Sequence, residues 1–229
     1  FGIMILLTSL RVGLELFTDI GISQNVVSSR NATDPRFYNT AWTLQVLRGF
    51  GLGAVTFLLL PLIGQFYDDP TLHKILPFMT IFFVLTGCTS IGLPLAIKEL
   101  ALDRTAKYEV TFIAIGSVAL IACSWIAPNI WGLLTGNIIA SIVPTIASYF
   151  IKPDIKHRLM IDGTYAREII GFGKWVFISS IVYFLAVNFD RLILAKYVSF
   201  AALGIYGIAR GLADVFSQFS VKLGAELIF

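Results

Sequence analysis

Charge is scarce in this chain. Of its 229 residues only 14% are Asp, Glu, Lys or Arg, against about 25% in an ordinary water-soluble domain. The apolar share is 57% and the mean hydropathy is +0.83. Disordered, collagen-like and disulfide-scaffold classes are excluded by that composition. The basic excess is small as well. Seventeen Lys and Arg against 14 Asp and Glu leave a net charge of +3, dispersed along the chain, so nucleic acid is not an expected partner despite a pI near 8.9.

Cysteine and histidine are equally sparse. Cys88 and Cys123 each stand alone in an apolar run, which reads as two small buried hydrophobes and not as a redox or metal pair. His73 and His157 have no carboxylate or second histidine at ligand spacing, so no metal site is expected. Neither a Gly-rich phosphate loop nor a Gly-x-Ser-x-Gly elbow occurs. No catalytic residue is assigned, and the chain reads as a non-enzyme.

Long charge-free runs are what the sequence has in plenty. A hydrocarbon core of roughly 30 Å takes about 20 mostly apolar helical residues to cross. Gly49–Tyr67, Ile75–Ile97 and Trp175–Lys196 meet that length, the last with Asp190 and Arg191 near its end. Val110–Ile151 is long enough for two spans, divided at Ala127-Pro128-Asn129, where proline cannot continue a helix and Asn tolerates a turn. Phe1–Val27 and Ala201–Phe229 complete seven expected spans. Outer-membrane strands would alternate strictly over about ten residues, and these runs do not. Pro61, Pro77, Pro94 and Pro144 predict kinks, which membrane helices accept where neighbours satisfy the freed carbonyl. The glycines Gly49, Gly51, Gly53, Gly132 and Gly136 have the spacing that lets helices approach closely.

Basic residues alternate from loop to loop. The first, third and fifth connections hold Arg30 and Arg36; Lys98, Arg104 and Lys107; and Lys152, Lys156, Arg158, Arg167 and Lys174. The second and sixth hold only Lys74 and Lys196, and the fourth none. Ten against two places the odd loops in the cytoplasm and Phe1 on the outer side. A first helix running inward, with no initiating Met and no signal peptide before it, predicts a fragment that lacks an upstream helix. The expected organisation is a transmembrane bundle of five spans over 1–151 and a cytoplasmic basic linker over 152–174. The start of a second bundle follows over 175–229. Within the linker, Asp162 or Thr164 can cap an amphipathic helix over Tyr165–Phe172.

Ionisable groups at membrane depth point to a site. Arg11, Glu15 and Asp19 recur every four residues in the first span and fall near one face, so Arg11 and Glu15 can pair. Arg48 stands one to two turns into the next span. Asp190 and Arg191, then Arg210 and Asp214, stand in the last two. Each Arg–carboxylate pair is either an internal tie or part of a water-filled cavity. Arg11, Arg210, Arg191 and Arg48 are the candidate substrate-binding groups. Glu15, Asp214, Asp19 and Asp190 are the candidate coupling or charge-compensating groups. Several arginines with compensating acids suit a phosphate-bearing amphiphile, since guanidinium binds phosphate bidentately and stays charged.

Two stretches, Asn188-Phe189-Asp190-Arg191-Leu192-Ile193-Leu194-Ala195-Lys196-Tyr197 and Ala202-Leu203-Gly204-Ile205-Tyr206, resemble a helix junction of the Wzx-type polysaccharide flippases. So do Leu16-Phe17-Thr18-Asp19-Ile20-Gly21-Ile22, Asn39-Thr40-Ala41-Trp42-Thr43-Leu44-Gln45 and Phe66-Tyr67-Asp68-Asp69-Pro70. These proteins belong to the multidrug/oligosaccharidyl-lipid/polysaccharide (MOP) superfamily, and the pattern is most similar to its colanic-acid and lipopolysaccharide exporter branch. The resemblance implies an all-α polytopic bundle of two related lobes, of which this chain holds about helices two to eight. A trace of the repeat is visible when Phe1–Phe17 is laid on Leu203–Phe219. Gly2 then matches Gly204, Ile3 Ile205, Leu10 Leu212 and Phe17 Phe219.

The implied cavity lies between the lobes and is lined by the first two helices of each. The implied cargo is a lipid-linked oligosaccharide flipped across a bacterial cytoplasmic membrane, with membrane lipids around it. Polysaccharide polymerases or glycosyltransferases would be partners. No cofactor is implied beyond a coupling proton or sodium ion. A cation-coupled multidrug exporter of the same superfamily is the alternative, and a membrane glycosyltransferase or polymerase a more distant one.

Overall fold

The computed structural model describes residues 2–67 and 74–227. Asp68, Asp69 and His73, part of the expected second connection, lie outside them. Every element among the described residues is helical: α1 (Gly2–Leu16), α2 (Ile22–Ser28), α3 (Pro35–Tyr67), α4 (Pro77–Gly87), α5 (Gly92–Lys98), α6 (Leu102–Ile126), α7 (Ile130–Ile151), α8 (Gly163–Tyr197) and α9 (Phe200–Leu227). The chain is a polytopic helical bundle.

Four of these helices, α3, α6, α7 and α8, are long and apolar enough to cross a membrane, and α4 with α5 passes as one bent span. That makes four or five by length and composition among the described residues, where seven are expected over the whole chain. The last expected span, Ala201–Phe229, ends outside the described residues. The first expected span breaks because α1 ends after 15 residues. Gly21, at φ 58°, then turns the chain into the short α2 with a left-handed backbone that glycine adopts without strain. The window Ile75–Ile97 also breaks, at residues 88–91, where α4 and α5 meet at 47°.

Burial is inverted along the outermost helices. Only Thr105 and Gly116 of α6 are buried, and Ile113 and Trp125 are 68% and 86% exposed. Apolar exposure on that scale suits lipid as the surrounding medium and not water. Two buried clusters hold the bundle. One gathers Leu6, Leu7, Leu52, Met79, Phe83 and Leu203, and the other Ile22, Val26, Phe37, Ile91, Leu95 and Ile169. α6 and α7 form a hairpin, α3 packs on α4, and α1 lies against α8 and α9. The α3–α4 contact is close enough that a Cβ on Gly49 would stand 2.6 Å from the Gly87 Cα. That is the close backbone approach which small residues permit between membrane helices.

Asp162 caps α8, its carboxylate accepting from the Thr164 and Tyr165 amides at 2.9 and 3.4 Å. The helix then continues without interruption from the amphipathic stretch into the apolar span, so the 174/175 boundary falls inside one element. The head of α8 is also tied to the first connection. The Tyr165 hydroxyl donates to Asp34 at 2.8 Å and the Ser29 hydroxyl to Glu168 at 2.7 Å.

Candidate functional site

α1 ends with carbonyls that have no partner further along the helix, as every helix does. Arg48 of α3 supplies one from outside. Its Nη2 donates to the Glu15 carbonyl at 2.6 Å, its Nε donates to the Thr18 hydroxyl at 3.2 Å, and its Nη1 stands 3.6 Å from the Asp19 carboxylate. Asp19 is positioned in turn by the Gly21 amide, which donates to it at 2.9 Å. A guanidinium at a helix C-terminus is favoured by the dipole as well as by the hydrogen bond.

Glu15, Asp19 and Arg48 line one wall of a cavity of about 630 Å³. α2 contributes Ser23 and Gln24. α4 contributes Thr86, the α4–α5 break Thr89 and Ser90, and α3 Gln45. A volume in the range of small-molecule pockets, mostly apolar with a few convergent polar groups, is the usual form of a binding site.

The other predicted residues lie elsewhere. Arg11 does not pair with Glu15 within 4 Å among the described residues. Its guanidinium lies over the Phe82 ring, 5.3 Å from the centroid, a cation–π contact. Arg191, Arg210, Asp190 and Asp214 form a second charged group between α8 and α9. There Arg191 Nη2 donates to Asp214 at 2.9 Å, and Arg210 Nε stands 3.4 Å from the same carboxylate, one helical turn away. Asp190 accepts from the Tyr206 hydroxyl. None of Arg11, Arg191 and Arg210 lines the cavity. The structure therefore brings Glu15, Asp19 and Arg48 together in one place and Asp190, Arg191, Arg210 and Asp214 in another.

The family model described as "Polysaccharide biosynthesis protein" matches residues 1–223. The chain belongs to that family. It is 23% identical over 220 residues to the lipopolysaccharide biosynthesis protein WzxC of Escherichia coli (strain K12), a match covering 94% of this chain and 44% of that protein. The chain thus spans less than half the length of that relative. No solved structure matches it.

In this family member, the polar residues of the α4–α5 break carry no charge that would mark them in the sequence as a site. Their signal is there. Thr86-Gly87 and Thr89-Ser90, with Gly92 and Pro94 just beyond, interrupt a charge-free window, and Gly/Pro-interrupted apolar segments mark binding sites in transporters. Gln45 has no such signal, because its role depends on which helix stands opposite. His157 likewise acquires its partners only when the 152–162 segment folds back on the bundle.

Proposed function

We propose that the chain is part of a transporter that moves a lipid-linked oligosaccharide across the bacterial cytoplasmic membrane during surface-polysaccharide assembly. The observation that carries this reading is the cavity itself. An arginine and two carboxylates line one wall of a space among apolar helices, in a chain of the polysaccharide biosynthesis family, and ionisable groups in such a setting mark substrate or ion pathways. Likeness to a lipopolysaccharide biosynthesis protein supports the class of cargo.

The mechanism in this reading is alternating access, with two helical bundles rocking about a fixed site. Arg48 meets the diphosphate or acidic sugars in the cavity wall, and Arg11, Arg210 and Arg191, which lie outside that wall, meet them along the rest of the path. Glu15 and Asp214 adjust those charges or carry a coupling proton or sodium ion. Asp19 and Asp190 hold helix ends in place. Arg48 joins the end of α1 to α3, so a movement of one helix shifts the wall that the other presents to the cargo. The basic 152–174 segment faces the cytoplasm, and the chain acts as a carrier and not as an enzyme.

Replacement of Arg11 by Ala in the full-length protein, expressed in cells lacking the chromosomal copy, tests the reading. Surface polysaccharide should be lost while membrane insertion is retained. Normal surface polysaccharide in that strain would remove Arg11 from the mechanism. Normal polysaccharide in the deletion strain itself would remove the function.

A further inference from the structure

A helix broken inside a packed bundle leaves buried backbone donors and acceptors, and each must find a partner. The break between α4 and α5 meets that requirement with side chains from three other elements. From α3, the Gln45 amide donates to the carbonyls of Thr86, Gly87 and Thr89, at 3.3, 3.3 and 2.9 Å. From α7, the Tyr149 hydroxyl donates to the Cys88 carbonyl at 2.5 Å, and the Ser148 hydroxyl accepts from the Ser90 amide at 2.9 Å. The third element is the 152–162 segment. His157 Nε2 accepts from the Ile91 amide at 3.4 Å and lies 3.1 Å from the Ser90 hydroxyl, which itself accepts from the Gly92 amide at 2.9 Å. Because the Ile91 amide can only donate, Nε2 is the acceptor and the ring proton belongs on Nδ1.

The segment that carries His157 is not slack. Its alternate amides, from Arg158, Met160 and Asp162, donate to the side chains of Asn39, Thr43 and Thr40 at 2.7, 3.0 and 3.0 Å. All three acceptors are buried on α3. The His157 ring is wedged edge-on between Trp42 and Tyr149, with centroids 5.1 and 5.0 Å away. At its far end the segment becomes the cap of α8. One extended strap therefore touches the head of α8, the face of α3 and, through His157, the break whose residues Thr89 and Ser90 face the cavity.

We propose that His157 is a positioning residue for the cavity, fixing the unwound 88–91 segment through Ser90 and the Ile91 amide and so linking the strap at the head of α8 to the cavity wall. This rests on the transporter reading given above. If the bundles rock, α8 draws the strap with it, and His157 carries that displacement to the wall that meets the cargo. A histidine that merely fills space would need the ring's shape and not its acceptor nitrogen.

The test uses the full-length protein in its native membrane, with Cys88 as its one cysteine. Two readouts are followed, Cys88 alkylation by N-ethylmaleimide and surface polysaccharide. His157→Leu removes the acceptor and leaves a buried amide without a partner. It should raise the alkylation rate about tenfold and lower surface polysaccharide by a similar factor, with insertion unchanged. His157→Gln can still present an acceptor and should keep both within about twofold of wild type. Leu behaving as wild type, or Gln behaving as Leu, would overturn the proposal. Ser90→Ala, which keeps the ring, should raise Cys88 alkylation about fivefold. Unchanged alkylation there overturns the proposal even if the Leu variant fails to insert. Loss of the transporter reading would appear separately, as a wild-type protein that supports no export, and the Cys88 rates would still decide whether His157 holds the break.

Discussion

Arg48 closes α1 from the side: its guanidinium donates to the main-chain carbonyl of Glu15 at 2.6 Å, from a different helix. The same side chain meets the Thr18 hydroxyl and stands beside the Asp19 carboxylate. Arg48→Ala removes one donor from that carbonyl, which also accepts from Thr18. It also removes the guanidinium beside Asp19, which keeps the Gly21 amide. The change should lower stability by about 1 to 2 kcal/mol. Arg48→Lys keeps the charge but cannot reproduce a forked contact with three oxygens, so it should recover only part of the loss. Thermal unfolding of the detergent-solubilised protein ranks the three. Equal midpoints for wild type and Arg48→Ala would refute the clasp.

Close packing of α3 on α4 makes a contrast between neighbouring glycines. A Cβ at Gly49 meets Gly87 backbone at 2.6 Å, whereas one at Gly51 meets nothing within 4 Å. Gly49→Ala should destabilise by about 1 to 3 kcal/mol, because backbone must move to accept it. Gly51→Ala should be neutral or slightly stabilising. The same unfolding assay separates them, and equal losses would show that α3 and α4 do not approach at this point.

Burial holds the His157 pKa below its ordinary 6.5. The facing groups are the Trp42 and Tyr149 rings and the Ser90 hydroxyl, and Lys156 and Arg158 flank it on its own strap. The folded protein therefore holds the ring neutral. Its contribution to stability is complete above about pH 6.5 and is lost progressively as pH falls toward the native value, because the unfolded chain takes up the proton first. Unfolding midpoints measured from pH 7.5 to pH 5 should fall more steeply for wild type than for His157→Gln. Parallel curves would contradict the assignment.

Asp214 serves two arginines, Arg191 across the helix pair and Arg210 one turn before it. Asp214→Asn should loosen α8 from α9, and its effect should not add to that of Arg191→Leu. Residues in one charged network couple by about 0.5 to 3 kcal/mol. A double-mutant cycle on thermal stability reads that coupling, and strict additivity would place the two groups outside one network.

The helical, membrane-spanning character was legible because it depends on composition over windows of about twenty residues. The Asp162 cap and the turn at 127–129 were legible too, since each is set by residues within a few positions of one another. The Arg210–Asp214 contact followed from spacing along one helix. Arg11 and Glu15 have the same spacing, yet Arg11 turns to the Phe82 ring of α4, a neighbour that the spacing does not reveal. Arg48 was recognised as a charge near a helix end, but its partners lie on another helix. The α4–α5 break was hidden by averaging. Ile75–Ile97 is apolar enough for one span, and only the side chains of Gln45, Ser148, Tyr149 and His157 make it possible to interrupt that span inside the protein.

Transport itself is the central claim, and it is measured most directly with the full-length protein in sealed proteoliposomes carrying a lectin-binding lipid-linked oligosaccharide in the leaflet opposite the lectin. The account predicts that lectin-accessible saccharide rises with time in wild-type vesicles, and that Arg11→Ala vesicles stay at the protein-free rate. A wild-type rate no higher than that of protein-free vesicles would contradict it.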